Sequence, residues 1–242
     1  MFIQPFITKR INAQMQELTI QDAIALCEIP PHLNELGISR ALEKIITQTN
    51  LPLKEWTVQE RILAVAHYLT AQEQGDFYIT DQSKLSDFYL DQDYQETPYS
   101  FDDLEIVPLT AEYAESIERV IISMNIQNAW TIGAMAATIR QKGDKWQGSA
   151  DEFIHENIQR ILSLPESEFL ELFNHFQAAQ EHLKHGVEIL YSNDGIAILS
   201  QKGDTSVELV KFRFDTLINE TTATLFRKPE NTGANNRDTD ET

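Results

Sequence analysis

The stretch WTVQERILAVAHYL, residues 56–69, decides the fold class of this chain. Thr57 and Glu60 have the spacing of a capping box, in which each side chain bonds the backbone N–H of the other residue at a helix start. The apolar residues that follow recur at helical spacing and form one stripe. They are Val58, Ile62, Val65, Ala66 and Leu69. The pattern therefore predicts an amphipathic helix that begins after Thr57 and buries one face.

Other parts of the chain carry similar helix signals, and one part does not. Caps and apolar periodicity predict further helices at 19–29, 32–49, 110–124, 128–141, 149–162, 165–186 and 215–227. Between 187 and 214 the period changes to two, in VEILYS, IAILS and SVELVKFRF, with turn residues between the runs. The chain is therefore predicted to be α+β, mainly helical, with a small antiparallel β-meander near the C-terminus.

These elements suggest three regions. Residues 1–125 form a helical N-terminal part that includes an acidic aromatic loop at 76–109. Residues 126–227 hold further helices and the three-stranded antiparallel meander. Residues 228–242, KPENTGANNRDTDET, contain one apolar residue and are predicted to be a flexible tail. Within the loop, LEIVPL at 104–109 is expected to be a short strand at a sheet edge, because proline cannot donate a ladder hydrogen bond.

The charge of the chain is unevenly distributed. The net charge is −19, and residues 76–118 account for −11 of it with one base and twelve acids. A negative field repels phosphate backbones and anionic lipid, so direct binding to nucleic acid or to a membrane is not expected, whereas a basic protein partner is compatible with it.

Cys27 is the only cysteine, which excludes an intrachain disulfide. With no signal-peptide pattern and no long apolar run, the expected location is the cytoplasm.

The stretch DFYLDQDYQETPYSFDDLE, residues 87–105, concentrates this charge among aromatic rings. It has seven carboxylates, five rings and no Lys or Arg; we call it the acidic-aromatic segment. Three interpretations stay open: its rings cover the core while its acids face water, it docks a basic partner, or its acids imitate a phosphate backbone. The candidate partner-binding rings are Phe88, Tyr89, Tyr94, Tyr99 and Phe101. The candidate steering charges are Asp91, Asp93, Asp102 and Asp103.

The predicted helix before Gly186 carries a stripe of histidines beside its apolar face. Its members are Glu171, His175, His182 and His185, which spread over about 21 Å at 1.5 Å per residue, too far for one metal ion. At best His182 and His185 form a pair that needs further ligands. No catalytic motif is present. The chain is therefore predicted not to be an enzyme and to need no cofactor or metal, with a metal-dependent enzyme as a remote alternative.

Three stretches in this order, ELTIQDAIALCEIPPHLNE, WTVQERILAVAHYL and GDFYI…LSDFYL, resemble a family of tailed-phage and prophage proteins encoded among tail genes. The resemblance covers roughly residues 15–95. It implies a non-enzymatic tail-assembly, chaperone or structural role at the baseplate or around the tape-measure protein, with phage tail components as partners. The resemblance places the protein in the host cytoplasm, with incorporation in the virion as a further option. The alternative function is an acidic inhibitor that sequesters a host nucleic-acid-binding protein.

Overall fold

The computed structural model of the protein describes residues 3–73, 78–80, 83–122, 124, 128–143, 146, 148–193, 195–201 and 209–227. The predicted flexible tail at 228–242 lies outside these residues. In the described ranges the protein is α+β and mainly helical, as predicted. The helices are α1 (Ile20–Cys27), α2 (Asn34–Ile45), α3 (Val58–Glu73), α4 (Ala111–Ile121), α5 (Ala129–Thr138), α6 (Ala150–Leu162), α7 (Glu166–Leu183) and α8 (Glu220–Phe226).

Within the residues that the structure describes, nine short strands form three antiparallel sheets of three strands each. The N-terminal sheet has β1 (Phe6–Ile7), β2 (Asn12–Met15) and β3 (Ile46–Thr49). The middle sheet has β4 (Tyr99–Phe101), β5 (Leu104–Ile106) and β6 (Ile139–Gln141). The C-terminal sheet has β7 (Ile189–Ser192), β8 (Gly195–Leu199) and β9 (Leu209–Val210). The predicted C-terminal meander is confirmed, but strands are spread along the whole chain and are not confined to that region.

Two predicted helices are too long because their ends join sheets. The helix predicted at 32–49 stops at Ile45, and the next four residues pair with β2. The helix predicted at 128–141 stops at Thr138, and the next three residues pair with β5. The expectation that LEIVPL is an edge strand is also wrong, because β5 lies between β4 and β6. Pro108 follows β5 and therefore removes no ladder hydrogen bond.

Helix α3 lies in the middle of the core, and its first turn is buried on every side. Thr57 and Glu60 form the predicted capping box, with N–H to oxygen distances of 2.8 and 3.2 Å. Residues 56–62 are all less than 5% exposed, including the charged Glu60 and Arg61. One continuous cluster of buried residues contains this helix and members from Ile3 to Ile218, so the core extends across the proposed boundary near residue 125.

The buried Arg61 connects α3 to α2. Its Nη2 donates to the backbone carbonyl of Glu35 at 2.6 Å, and its Nη1 lies 3.3 Å from the Glu35 carboxylate. Both side chains are at most 4% exposed. A buried charge without its partner is strongly unfavourable, so this pair fixes the position of α2 against α3.

Glu118 of α4 caps α2 from a distance. Helix α2 has no side-chain cap of its own at Leu33. Instead, the two carboxylate oxygens of Glu118 accept the backbone N–H groups of Glu35 at 3.0 Å and Leu36 at 3.2 Å. Free N–H groups at a helix start favour an anion there. Burial nevertheless raises the pKa of Glu118 to about 7, and the Glu35 carboxylate also raises it.

This raised pKa gives the stability of the protein a specific pH dependence. The folded state holds the Glu118 proton more tightly than the unfolded chain, so the resulting stability is complete below pH 4.5 and is lost as the pH rises through 7. We expect Glu118→Gln to lack this loss. As the pH rises from 5 to 8, the free energy of unfolding of the wild type should fall by about 1–3 kcal/mol relative to that of the variant. Urea denaturation at each pH measures both values.

The matched control is Glu112→Gln, an exposed carboxylate on the same helix. The control should follow the wild type across this pH range. A constant difference in unfolding free energy between Glu118→Gln and the wild type would contradict a raised pKa at Glu118.

Candidate functional site

The acidic-aromatic segment begins inside the core. A 3-10 turn at Leu85–Phe88 places both of its terminal side chains at 1% exposure or less. Phe88 is therefore a core residue, and its ring is not available to a partner. This corrects the expectation that Phe88 contacts one. The burial anchors the N-terminal end of the segment.

The backbone after Phe88 pairs with the turn that follows α7. Tyr89 and Val187 form an antiparallel bridge. The Leu90 N–H donates to the carbonyl of Gly186 at 2.8 Å, and the Gly186 N–H donates to the carbonyl of Gln92 at 3.0 Å. Gly186 has a φ of +62°, a left-handed conformation that glycine adopts readily. The segment is thus hydrogen-bonded to a distant part of the chain on both sides of Asp91.

Tyr94 is held by two side chains from different elements. The guanidinium carbon of Arg10 lies 4.4 Å from the centre of the Tyr94 ring, and the His185 ring meets it edge-on at 5.2 Å. Arg10 is fixed in turn, because its Nε donates to Glu60 at 2.9 Å and an Nη donates to the backbone carbonyl of Glu55 at 2.9 Å. The Tyr94 ring therefore packs on its own chain.

Tyr99 and Phe101 pack on the histidine stripe of α7. The Phe101 ring stacks on His175 with centroids 4.1 Å apart and planes 9° apart. The hydroxyl of Tyr99 lies 3.3 Å from Nδ1 of His175, and its ring lies 6.0 Å from that of His182. Strand β4 thus packs on the histidine stripe of α7. Sequence reasoning found the rings and the histidines separately, but nothing in the sequence indicated that they pair.

The predicted steering charges lie on the outside of the same segment. Asp91, Asp93, Asp102 and Asp103 are all exposed; we call these four residues the acidic surface. Asp102 and Asp103 form the turn between β4 and β5, where Asp102 has a φ of +41°. Tyr89, at 42% exposure, is the most exposed of the five predicted rings. The segment therefore turns four of its five rings inward and leaves five of its seven carboxylates exposed.

His185 lies apart from the rest of the stripe and has no free ring nitrogen. It is 3% exposed, with Nδ1 at 2.8 Å from the carbonyl of Leu183 and Nε2 at 2.9 Å from the hydroxyl of Thr57. A carbonyl only accepts, so Nδ1 carries the proton and Nε2 accepts from Thr57. Burial lowers the pKa of His185 and so favours the neutral ring. Both nitrogens are thus used within the protein.

His182 lies in a different environment from His185, so the two histidines do not form the suggested metal-binding pair. It is exposed, and its Nε2 lies 3.3 Å from the carbonyl of Thr97. His182 and His185 therefore contact different parts of the chain. Within the described ranges, no three His, Cys, Asp or Glu side chains converge in a way that could hold a metal ion. The hypothesis of a metal-dependent enzyme that uses this pair is therefore not supported by the geometry.

Comparison with known proteins gives no relative. No protein-family model matches the chain, and neither the curated proteins nor the solved structures contain a significant match. Across the described part of the chain, every helix is too short or too polar to span a lipid bilayer.

The stacking of Phe101 on His175 should stabilise the whole protein. We expect His175→Ala to lower the free energy of unfolding by about 1–2 kcal/mol, because it removes the stacked ring and the partner of Tyr99. His155→Ala, at an exposed position of α6, should change it by less than about 0.5 kcal/mol. The double variant with Phe101→Ala should show a coupling of about 0.5–1.5 kcal/mol. Additive effects in this cycle would contradict the stacking.

The tautomer of His185 is directly observable. In long-range ¹H–¹⁵N spectra at pH 8, we expect a neutral imidazole with its proton on Nδ1, because burial favours the neutral ring and the carbonyl of Leu183 accepts the Nδ1 proton. Thr57→Val, which removes the hydroxyl that Nε2 accepts from, should shift the Nε2 resonance of this ring. A proton on Nε2 of the neutral ring would contradict the hydrogen-bond assignment.

Proposed function

We propose that this protein is a non-enzymatic assembly protein that binds a basic region of another protein through its acidic surface. The observation that carries the proposal is the arrangement of the acidic-aromatic segment, in which inward rings fix the backbone and outward carboxylates stay exposed. Among the described residues, none of the four carboxylates of the acidic surface has an ion-pair partner. A partner with lysines or arginines at matching positions supplies the missing charges.

The physical consequence of this arrangement is steering. Exposed carboxylates on a fixed backbone attract a basic surface over a distance of about 10 Å at 0.1 M salt, and they raise the rate of encounter more than the final affinity. Because the rings already pack on α7 and on Arg10, the segment needs little ordering when it binds. Pre-organisation of this kind lowers the entropic cost of association. Tyr89 offers an exposed ring for contact once the partner has arrived.

The resemblance at residues 15–95 suggests the setting. On that basis we propose that the partner is a phage tail component, at the baseplate or around the tape-measure protein, and that the protein acts in the host cytoplasm during tail assembly. An acidic inhibitor of a host nucleic-acid-binding protein uses the same surface. The identity of the bound protein separates the two functions.

The experiment is a cross-linked pull-down from the native cell with the wild type and with Asp91, Asp93, Asp102 and Asp103 all changed to Asn. Asn tolerates the left-handed backbone at residue 102, so the fold should be kept. The charge-matched control changes four exposed carboxylates elsewhere, Glu28, Glu43, Glu112 and Glu220, to Gln. We expect the wild type and the control to recover a tail protein. The association rate of the Asn variant with that protein should be about tenfold lower than that of the wild type at low salt.

The salt dependence decides whether the effect is electrostatic. The association rates of the wild type and the Asn variant should converge near 0.5 M salt, because screening removes the attraction. Equal association rates for the Asn variant and the wild type at low salt would refute a role for the acidic surface. Recovery of a host polymerase or nuclease in place of a tail protein would support the inhibitor and refute tail assembly.

A further inference from the structure

A cavity of about 370 Å³ lies beside the acidic surface. Its walls come from the middle sheet, from α6 and from the first turns of α7, and Phe101 and Asp102 belong to both the cavity and the acidic-aromatic segment. The volume falls at the lower end of the range of about 300–1,000 Å³ for ligand pockets. It suits one large side chain with its adjoining backbone.

The floor and walls of this cavity are mainly apolar. Met135 and Phe153 are buried at its base, and Leu104, Leu164 and Leu172 are half-buried around it. Such a cavity favours an aliphatic or aromatic group, because burying that group removes apolar surface from water on both sides. Anchor side chains of protein interfaces fill pockets of this kind.

Arg140 supplies a hydrogen-bond donor without an acceptor. Its guanidinium carbon lies 4.9 Å from the ring centre of Tyr113 and 5.7 Å from that of Phe153. The buried Nε has no hydrogen-bond partner among the described residues. Leaving a buried donor unbonded is unfavourable. A backbone carbonyl of an inserted peptide supplies the acceptor.

The charges at the cavity determine which peptide fits. The acidic side chains along it are Asp102, Glu156, Glu168 and Glu171, all exposed, against two cations, Arg140 and Arg160. None of the four acids is ion-paired within the described residues. The acidic mouth repels an anionic ligand and attracts lysine or arginine on either side of an apolar anchor.

We infer that this cavity is the anchor pocket for a basic peptide segment of a partner protein, which inserts one large apolar side chain between the middle sheet and α6. The inference rests on the proposed function and names the site where the partner is held after the acidic surface has steered it. The anchor fills the apolar floor, its backbone carbonyl accepts from Arg140, and flanking cations pair with Glu156, Glu168 and Glu171.

The test uses the full chain and synthetic nonapeptides, acetylated and amidated, in which a central Trp lies between two Lys-Lys pairs. Binding is measured by isothermal titration and by perturbation of amide resonances. We expect saturable binding that perturbs residues of the cavity wall. A central Ala, or Glu in place of Lys, should weaken binding at least tenfold. Failure of the Lys–Trp peptide to bind up to millimolar concentration, or equally tight binding of the Glu peptide, would overturn the inference.

Matched variants locate the site. Leu164→Trp fills the cavity and should weaken binding of the Lys–Trp peptide at least tenfold, whereas Leu162→Trp, at an exposed position two residues earlier, should leave it unchanged. Arg140→Met keeps the stem but removes the donors and should weaken binding about three- to tenfold. Each variant should unfold at the wild-type midpoint. Equal affinity of Leu164→Trp and the wild type for the peptide would place the anchor elsewhere and overturn the inference.

The pull-down separates this inference from the proposed function. If Leu164→Trp recovers the native partner as well as the wild type does, the proposed anchor pocket is refuted. The proposed role of the acidic surface is not affected by that result. If the Asn variant of the acidic surface keeps the native partner while Leu164→Trp loses it, the proposed steering is wrong and the pocket is supported.

Discussion

The structure depends on the burial of the first turn of α3. Because this turn is enclosed, a polar side chain without a partner is unfavourable there, and Thr57, Glu60 and Arg61 each bind a different part of the chain. Thr57 donates to His185 after α7, Glu60 binds Arg10 beside the N-terminal sheet, and Arg61 binds Glu35 on α2. Three polar contacts from five consecutive residues thereby set the position of the N-terminal sheet, α2 and the end of α7.

The acidic-aromatic segment takes its place from the same contacts. Arg10 and His185, both fixed by α3, hold the Tyr94 ring between them. The turn that contains His185 also pairs with the backbone of residues 89–92, and α7 supplies the histidine on which Phe101 stacks. A segment with a charge of −7 is thus kept on the protein by its rings and backbone, while four of its carboxylates stay in water. This answers why so many acids and rings occur together.

The capping signals at helix starts were reliable, whereas contacts between distant parts of the chain left no signal in the sequence. Thr19, Thr57 and Ser149 cap helices through residues three positions away, so their helices could be predicted. Strands β3 and β6 escaped prediction because each has only three or four residues, continues directly from a helix, and exists only through a distant partner strand. The cap that Glu118 provides to α2 comes from 83 residues away and leaves no local pattern. Phe88 looked like its exposed neighbours, and only the tertiary fold shows that it is buried.

The acidic-aromatic segment is an ordered part of the fold, and amide hydrogen exchange can test this order at single residues. The amides of Leu90 and Gly186 hydrogen-bond across the junction between the segment and the turn after α7. We expect both amides to exchange slowly in the wild type, and both to lose protection together in Thr57→Val, which releases His185. If these amides exchange in the wild type at the rate of an unstructured chain, the segment is not held on the protein.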